Sequence, residues 1–330
     1  MFKKFLCVVS VVSCVLCAST VAFSSDDYPR RPIKLVVAYT PGGGTDRSVR
    51  MFQPYLEKHL GQKVVIENKG GAGTEIATTS VANAQPDGYT ILVTNYPDLN
   101  WTLAFQNPAG YNKDTMETFL ISKIDPRIVI VNKDSKYNTF VDFIEDAKAN
   151  PGKLAVSVGQ NSGVHALALY LKNALNIDYK VVPYVGGGQA GAALIGNQVD
   201  VCIGDAFSRL NLKGQVKCIA VMGNERNQLW PEGEPLDPQL APYKVSVPTL
   251  NRYEAFVVRR DFKEKYPERY EKLMNAFLEA SKDPEYKKVL EDSKMLDIDV
   301  WMRKEEAEKA LVGQMEFLSE TVGPLLNLKK

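Results

Sequence analysis

Short apolar, often β-branched runs alternate with stretches of helical periodicity between about residues 32 and 223 of this 330-residue chain. The runs IKLVVAY (33–39), KVVIEN (63–68), GYTILVT (88–94), RIVIVN (127–132), KLAVSV (153–158), KVVPYV (180–185), QVDVCIG (198–204) and VKCIAVMG (216–223) predict strands. Near-continuous apolar runs need cover on both faces, so the pattern predicts an α/β fold with helices layered on a largely parallel sheet. Val49, Phe52, Leu56 and Leu60 recur at the spacing of one helix face; Gly61 marks the stop and Pro54 predicts a kink. A second helix is predicted where Val164, Leu167, Leu171 and Leu175 share a face. Beyond Gly223 the pattern loosens into a Pro-rich, polar stretch (224–250) that predicts an irregular connection. Charged amphipathic helices follow over 267–281 and 304–321, with a shorter one in KDPEYKKVLEDS (282–293).

Composition adds bounds. With 24% charged and 45% hydrophobic residues the chain can bury a sizeable core, and its length suits two domains. MFKKFLCVVSVVSCVLCASTVAFSS has a two-lysine start, an apolar stretch and small residues at Ala22 and Ser24, so residues 1–25 predict a secretory signal peptide and a periplasmic protein. VVSC ending at Cys14 leaves a lipoprotein anchor as the alternative. Without Lys3 and Lys4 the chain carries 38 basic against 39 acidic residues, which excludes an electrostatic footprint for nucleic acid. Cys7, Cys14 and Cys17 lie in the leader. Cys202 and Cys218 sit in apolar runs and read as two buried thiols, with a disulfide as the alternative.

The candidate chemistry begins at YTPGGGTDRSVR (39–50), three glycines between a strand and a helix. Such a turn brings backbone amides close to a ligand and the helix start attracts anions. A phosphate-binding P-loop would need Lys and then Ser or Thr after the last glycine, whereas Gly44 is followed by Thr45, Asp46 and Arg47. A counterpart lies in SVGQNSGVH (157–165), again strand, turn and helix, with Ser162 placed as an N-cap. Two enzyme readings stay open beside a ligand gripped from two sides. Gly186, Gly188 and Gly191 satisfy G-x-G-x-x-G, with Asp205 near the distance of a ribose-binding acid, although the helix from about Gln189 to Ile195 is short for a dinucleotide site. Ser162 and His165 could serve a hydrolase, although GQNSG is not a nucleophile elbow. His59 and His165 are the only histidines, and neither has a Cys or His at metal-ligand spacing.

Taken together, YPRRPIKLVVAYTPGGGTD, VVIENKGGAGTEIATTSVANAQPDGYTILVTN and YVGGGQAGAALIGNQVDVCIGD resemble, in order and spacing, the substrate-binding receptors of tripartite tricarboxylate transporters, the Bug family. The likeness covers about residues 28–223 and implies a type II periplasmic binding protein: lobe 1 over 26–125 and 226–330, lobe 2 over 126–225, and a ligand cleft between them. It implies a non-enzymatic, monomeric receptor for a small carboxylate that serves membrane permease subunits, with no cofactor and no metal. Carried over position by position, the ligand contacts expected are Tyr39, Pro41, Gly42, Gly43, Gly44, Thr45 and Asp46 from the first loop, then Thr94 and Asn95. From the second lobe come Ser157, Gln160, Asn161, Ser162, Gly163 and His165, then Tyr184, Gly187 and Asp205. Tyr96, Trp101 and Arg209 stand where family members vary, and VPTL (247–250) resembles the family's P-T-L segment. Neither TPGGGTD nor GQNSGVH contains Lys or Arg, so the expectation is that neutral amides, hydroxyls and waters at the two helix starts hold the ligand carboxylates.

Overall fold

The first apolar run forms strand β1 (Ile33–Val37), and the glycine turn leads into helix α1 (Gly44–Leu60). This is a computed structural model describing residues 27–326 apart from 107, 109 and 249, so the expected leader with its three cysteines lies outside the described residues. α1 continues past Pro54 and ends at Gly61, whose φ of 65° needs no Cβ and whose N–H closes on Glu57 O. β2 (Val64–Asn68), α2 (Glu75–Ala82), β3 (Thr90–Tyr96), the short α3 (Asp98–Trp101) and β4 (Met116–Asp125) follow. The chain then builds β5 (Arg127–Asn132), α4 (Phe140–Ala149), β6 (Ala155–Gly159), α5 (Gly163–Ala174), β7 (Lys180–Tyr184), α6 (Gly187–Ile195), β8 (Val201–Asp205) and β9 (Val216–Val221). The last third holds α7 (Leu236–Leu240), β10 (Arg252–Arg259), α8 (Asp261–Lys265), α9 (Pro267–Ser281), α10 (Pro284–Asp292), β11 (Asp299–Arg303) and α11 (Lys304–Ala310).

Two sheets result, ordered β11-β4-β10-β3-β1-β2 and β7-β6-β8-β5-β9. β1 runs parallel to β2 and β3, and β6 parallel to β7 and β8. One antiparallel strand sits inside each sheet: β10 between β3 and β4, and β5 between β8 and β9. The chain passes from the first sheet to the second between Asp125 and Arg127 and re-enters the first at Arg252.

Three strands escaped the apolar pattern: β4, β10 and β11. Their sequences carry Lys123, Asp125, Arg252, Glu254 and Asp299 at buried positions, where the charges neutralise one another: Lys123 Nζ lies 3.8 Å from Glu254 and 3.6 Å from Asp299, and Ser48 donates to Glu254 at 2.7 Å. The helix expected over 304–321 is broken in two: α11 stops at Ala310, Gly313 turns left-handed with φ 80°, and helical structure resumes over 314–322. The thiols of Cys202 and Cys218 are free and buried.

Under the first sheet Phe52 is the aromatic hub, its ring centroid 4.6 Å from Trp301, 5.2 Å from Tyr286, 5.9 Å from Phe277 and 6.3 Å from Phe256. Truncation there leaves a cavity that rigid neighbours cannot fill. Phe52→Ala is expected to cost about 3–5 kcal/mol, read as a lower urea midpoint with an unchanged slope.

Candidate functional site

A cavity of about 170 Å³ opens where the β1–α1 turn meets the β6–α5 turn and the start of α6. Of the expected contacts, Tyr39, Gly42, Gly43, Gly44, Thr45, Asn95, Gln160, Asn161, Ser162, Gly187 and Asp205 line it. Pro41, Asp46, Thr94, Ser157, Gly163, His165 and Tyr184 lie outside its wall. The two edges touch: a Cβ at Gly44 would run into Ser208 Oγ, and Arg47 Nη2 donates to the carbonyls of Phe207 and Ser208 at 3.4 Å.

The residues outside the wall have identifiable tasks. Asp46 accepts from Gly42 N at 2.8 Å, from Asn68 Nδ2 at 2.9 Å and from Arg50 Nε at 3.0 Å. Burial alone would raise its pKa, but these donors outweigh it and hold the carboxylate below its usual range. Asp46 therefore fastens the glycine turn from behind. Ser157 Oγ donates to Ala190 O at 2.9 Å and ties β6 to α6. His165 stacks on Trp101 with centroids 5.1 Å apart and planes 18° apart, and its Nδ1 accepts from Asn161 N at 3.3 Å. Trp101 and Tyr96 are themselves buried and absent from the wall.

Ser162 corrects two expectations. As residue preceding α5 it makes no side-chain cap, because its Oγ donates to Gly159 O at 2.6 Å. His165 and Ser162 thus point to different partners, which removes the geometric basis of the hydrolase reading. The dinucleotide reading fails on its acid: Asp205 pairs tightly with Arg127 and stands 3.7 Å from Arg252 Nε, so it has no free face for a ribose.

The wall also contains Arg127, Arg252 and Asp98, which the sequence reading missed, so the cavity is lined by charged as well as neutral groups. Arg47, Arg127, Arg209 and Arg252 all line the cavity, against Asp98 and Asp205. Arg127 and Arg252 stand at the heads of β5 and β10; a charged residue opening an apolar run was their only signal. Arg252 Nη2 donates to Asp125 at 2.8 Å and its Nη1 to Thr45 Oγ1 at 3.0 Å, while Asn95 Nδ2 donates to the same hydroxyl at 3.0 Å. Burial pushes Asp125 up to about 6 even beside Arg252, whereas Arg127, Arg252 and Arg209 overcome burial at Asp205 and hold it below its usual value.

Asp98 changes the reading of the second helix start. Its Oδ1 accepts from Gly163 N at 3.0 Å and its Oδ2 from Tyr39 OH at 3.0 Å, while the Tyr39 oxygen accepts from Asn95 N at 3.1 Å. Burial raises its pKa despite Arg127 nearby. The chain's own carboxylate already occupies the start of α5, a place expected for a ligand carboxylate.

Two tests follow from these groups. Removing one partner of a buried pair strands the other charge, so Asp125→Ala is expected to cost about 3–5 kcal/mol in chemical denaturation, and adding Arg252→Met to recover most of it. Burial lowers the His165 pKa to about 4. An imidazole depressed in the folded state takes its proton first in the unfolded chain, so its share of stability is full above about pH 6.5 and is lost toward pH 4. Unfolding at pH 7 and pH 4.5 should show His165→Phe, which keeps a ring on Trp101, losing less stability on acidification than the unmodified protein, by up to about 3 kcal/mol.

The comparisons with known proteins agree with this architecture. Residues 48–316 match the tripartite tricarboxylate transporter family receptor. A UPF0065 protein of Bordetella pertussis is 30% identical over 234 residues, covering 70% of this chain and 72% of that protein. The periplasmic binding protein BugD superposes with a TM-score of 0.76 at 27% identity, over 90% of this chain and 98% of that one. MatC from Rhodopseudomonas palustris, solved with bound malate, shares the fold with a TM-score of 0.71 at 24% identity over 90% and 98% of the two chains. With its two α/β sheets and the cavity where their loops meet, the chain belongs to the tripartite tricarboxylate transporter receptor family.

Proposed function

We propose that this protein is the periplasmic solute receptor of a tripartite tricarboxylate transporter. Its lobes, residues 26–125 with 226–330 and residues 126–225, close as a monomer on a small carboxylate and present it to the membrane permease. Residues 1–25 act as the export signal, with Cys14 as the attachment point if the protein is a lipoprotein. The observation that carries this reading is the charge of the cavity wall, in which four arginines face two carboxylates where the turns preceding α1, α5 and α6 converge. An excess of fixed positive charge in such a cleft favours an anion of matching size. Tyr39, Gly42, Gly43, Gly44, Thr45, Asn95, Gln160, Asn161, Ser162 and Gly187 supply polar contacts around it, and the site has no need of a cofactor for this task.

Ligand that binds only the folded protein raises its stability by about 2.7 kcal/mol at a concentration 100 times Kd. A thermal-shift panel of mono-, di- and tricarboxylates and acidic amino acids is therefore expected to contain compounds that raise Tm by roughly 5 °C. A panel in which NAD shifts the transition and no carboxylate does would refute the proposal.

A further inference from the structure

Two of the four cavity arginines are already neutralised: Arg127 by Asp205, and Arg252 by Asp125. Arg209 is different. Only 5% exposed, it has no carboxylate within 4.0 Å among the described residues, its Nε lacks a hydrogen-bond partner, and its Nη2 has a weak contact at 3.9 Å to Cys202 Sγ. Arg47 likewise meets carbonyls instead of carboxylates, at Gly42 and at Phe207 and Ser208.

The glycines around Arg209 explain its position. A Cβ at Gly204 would lie 2.6 Å from Arg209 Nε and one at Gly187 2.9 Å from Nη1, whereas one at Gly191 would meet Leu212 Cδ1 at 2.8 Å and stay in ordinary contact with Arg209 Nε at 3.8 Å. None of these three glycines takes a left-handed φ, so their lack of a side chain serves space and not a turn. Gly187 and Gly204 leave a trough that lays the guanidinium across the start of α6, a nine-residue helix whose preceding residue, Gly186, makes no side-chain cap. Gly187, between the first two glycines of the G-x-G-x-x-G spacing, thus makes room for an arginine, and Gly191 makes room for Leu212.

Asp205 is near enough to feel the charge of Arg209 but not to bond it; a buried guanidinium with no carboxylate in contact is costly, and a bound anion relieves that cost. The start of α5 cannot receive the anion in the same way, because Asp98 holds it. We propose that Arg209, seated by Gly187 and Gly204 at the start of α6, binds a second anionic group of the ligand and makes the receptor select dianions over monocarboxylates. This rests on the carboxylate-receptor reading above and assigns its specificity to one residue.

The test compares the unmodified protein with Arg209→Gln by calorimetry, using succinate, malate and glutarate, each against the monocarboxylate of equal carbon number. Loss of a charge-assisted contact should weaken dianion binding by about 30-fold or more while monocarboxylate affinity changes by less than about threefold. Gly204→Ala, which keeps the arginine and displaces its Nε, should reproduce the selective loss and serves if Arg209→Gln does not fold. Sulfate is a probe independent of carboxylate recognition, and should raise the Tm of the unmodified protein but of neither variant. Equal losses for both ligand classes, or no loss, would overturn the role of Arg209 and leave the receptor reading intact. Sulfate protection through Arg209 without any carboxylate binding would sink the receptor reading and keep the anion site; protection by neither would sink both.

Discussion

The constraint on which the structure depends is the neutralisation of four charges buried where the chain crosses between its sheets. Asp125 ends β4, Arg127 begins β5, Asp205 ends β8 and Arg252 begins β10. The pairing is written into the sheets: Arg252 lies opposite Asp125 across β10 and β4, and Arg127 opposite Asp205 across β5 and β8. Arg252 also reaches toward Asp205 across the two sheets at 3.7 Å. Each charge alone would carry a heavy desolvation cost, so the two crossings are held in one register relative to each other. The bond from Arg127 Nε to Leu250 O at 2.7 Å extends this restraint to the returning chain.

From that frame the cleft follows. Thr45 and Asn95, at the ends of the first sheet's turns, are bonded to each other and to Arg252, so the floor of the cavity is continuous with the crossing charges. Asp46 braces the glycine turn from the protein side, and Asp98 with Tyr39 fills the start of α5. Both acids satisfy amides that would otherwise compete for a ligand. The positive charge without a carboxylate in contact is left at Arg209 and Arg47, which both line the same space.

Much of this was legible in order along the chain. RIVIVN matches β5 at both ends, and 267–281 matches α9, because an apolar run between turn residues and a helical stripe beginning with Pro report local preferences directly. β4 and β10 were hidden by the charges they bury, since a charged residue reads as solvent-facing until its partner is known. The site shows the same division. The glycine turns could be located, and the family resemblance pointed to eleven of the residues that line the wall. Arg127, Arg252 and Asp98 could not be found, as each belongs to the cavity only through residues from 65 to more than 120 positions away.

The sequence by itself therefore determined the α/β alternation, the glycine-marked helix starts, the near-neutral charge of the chain and the family to which it belongs. These are properties of neighbours along the chain, set by periodicity and backbone sterics. Only the tertiary structure decided which helix start is already filled by Asp98, which arginines are neutralised, and that Gly187 and Gly204 leave the space Arg209 occupies. The physical reason is that the cost of a buried charge depends on what lies within a few ångströms in space, and for these residues that is set by the meeting of two sheets.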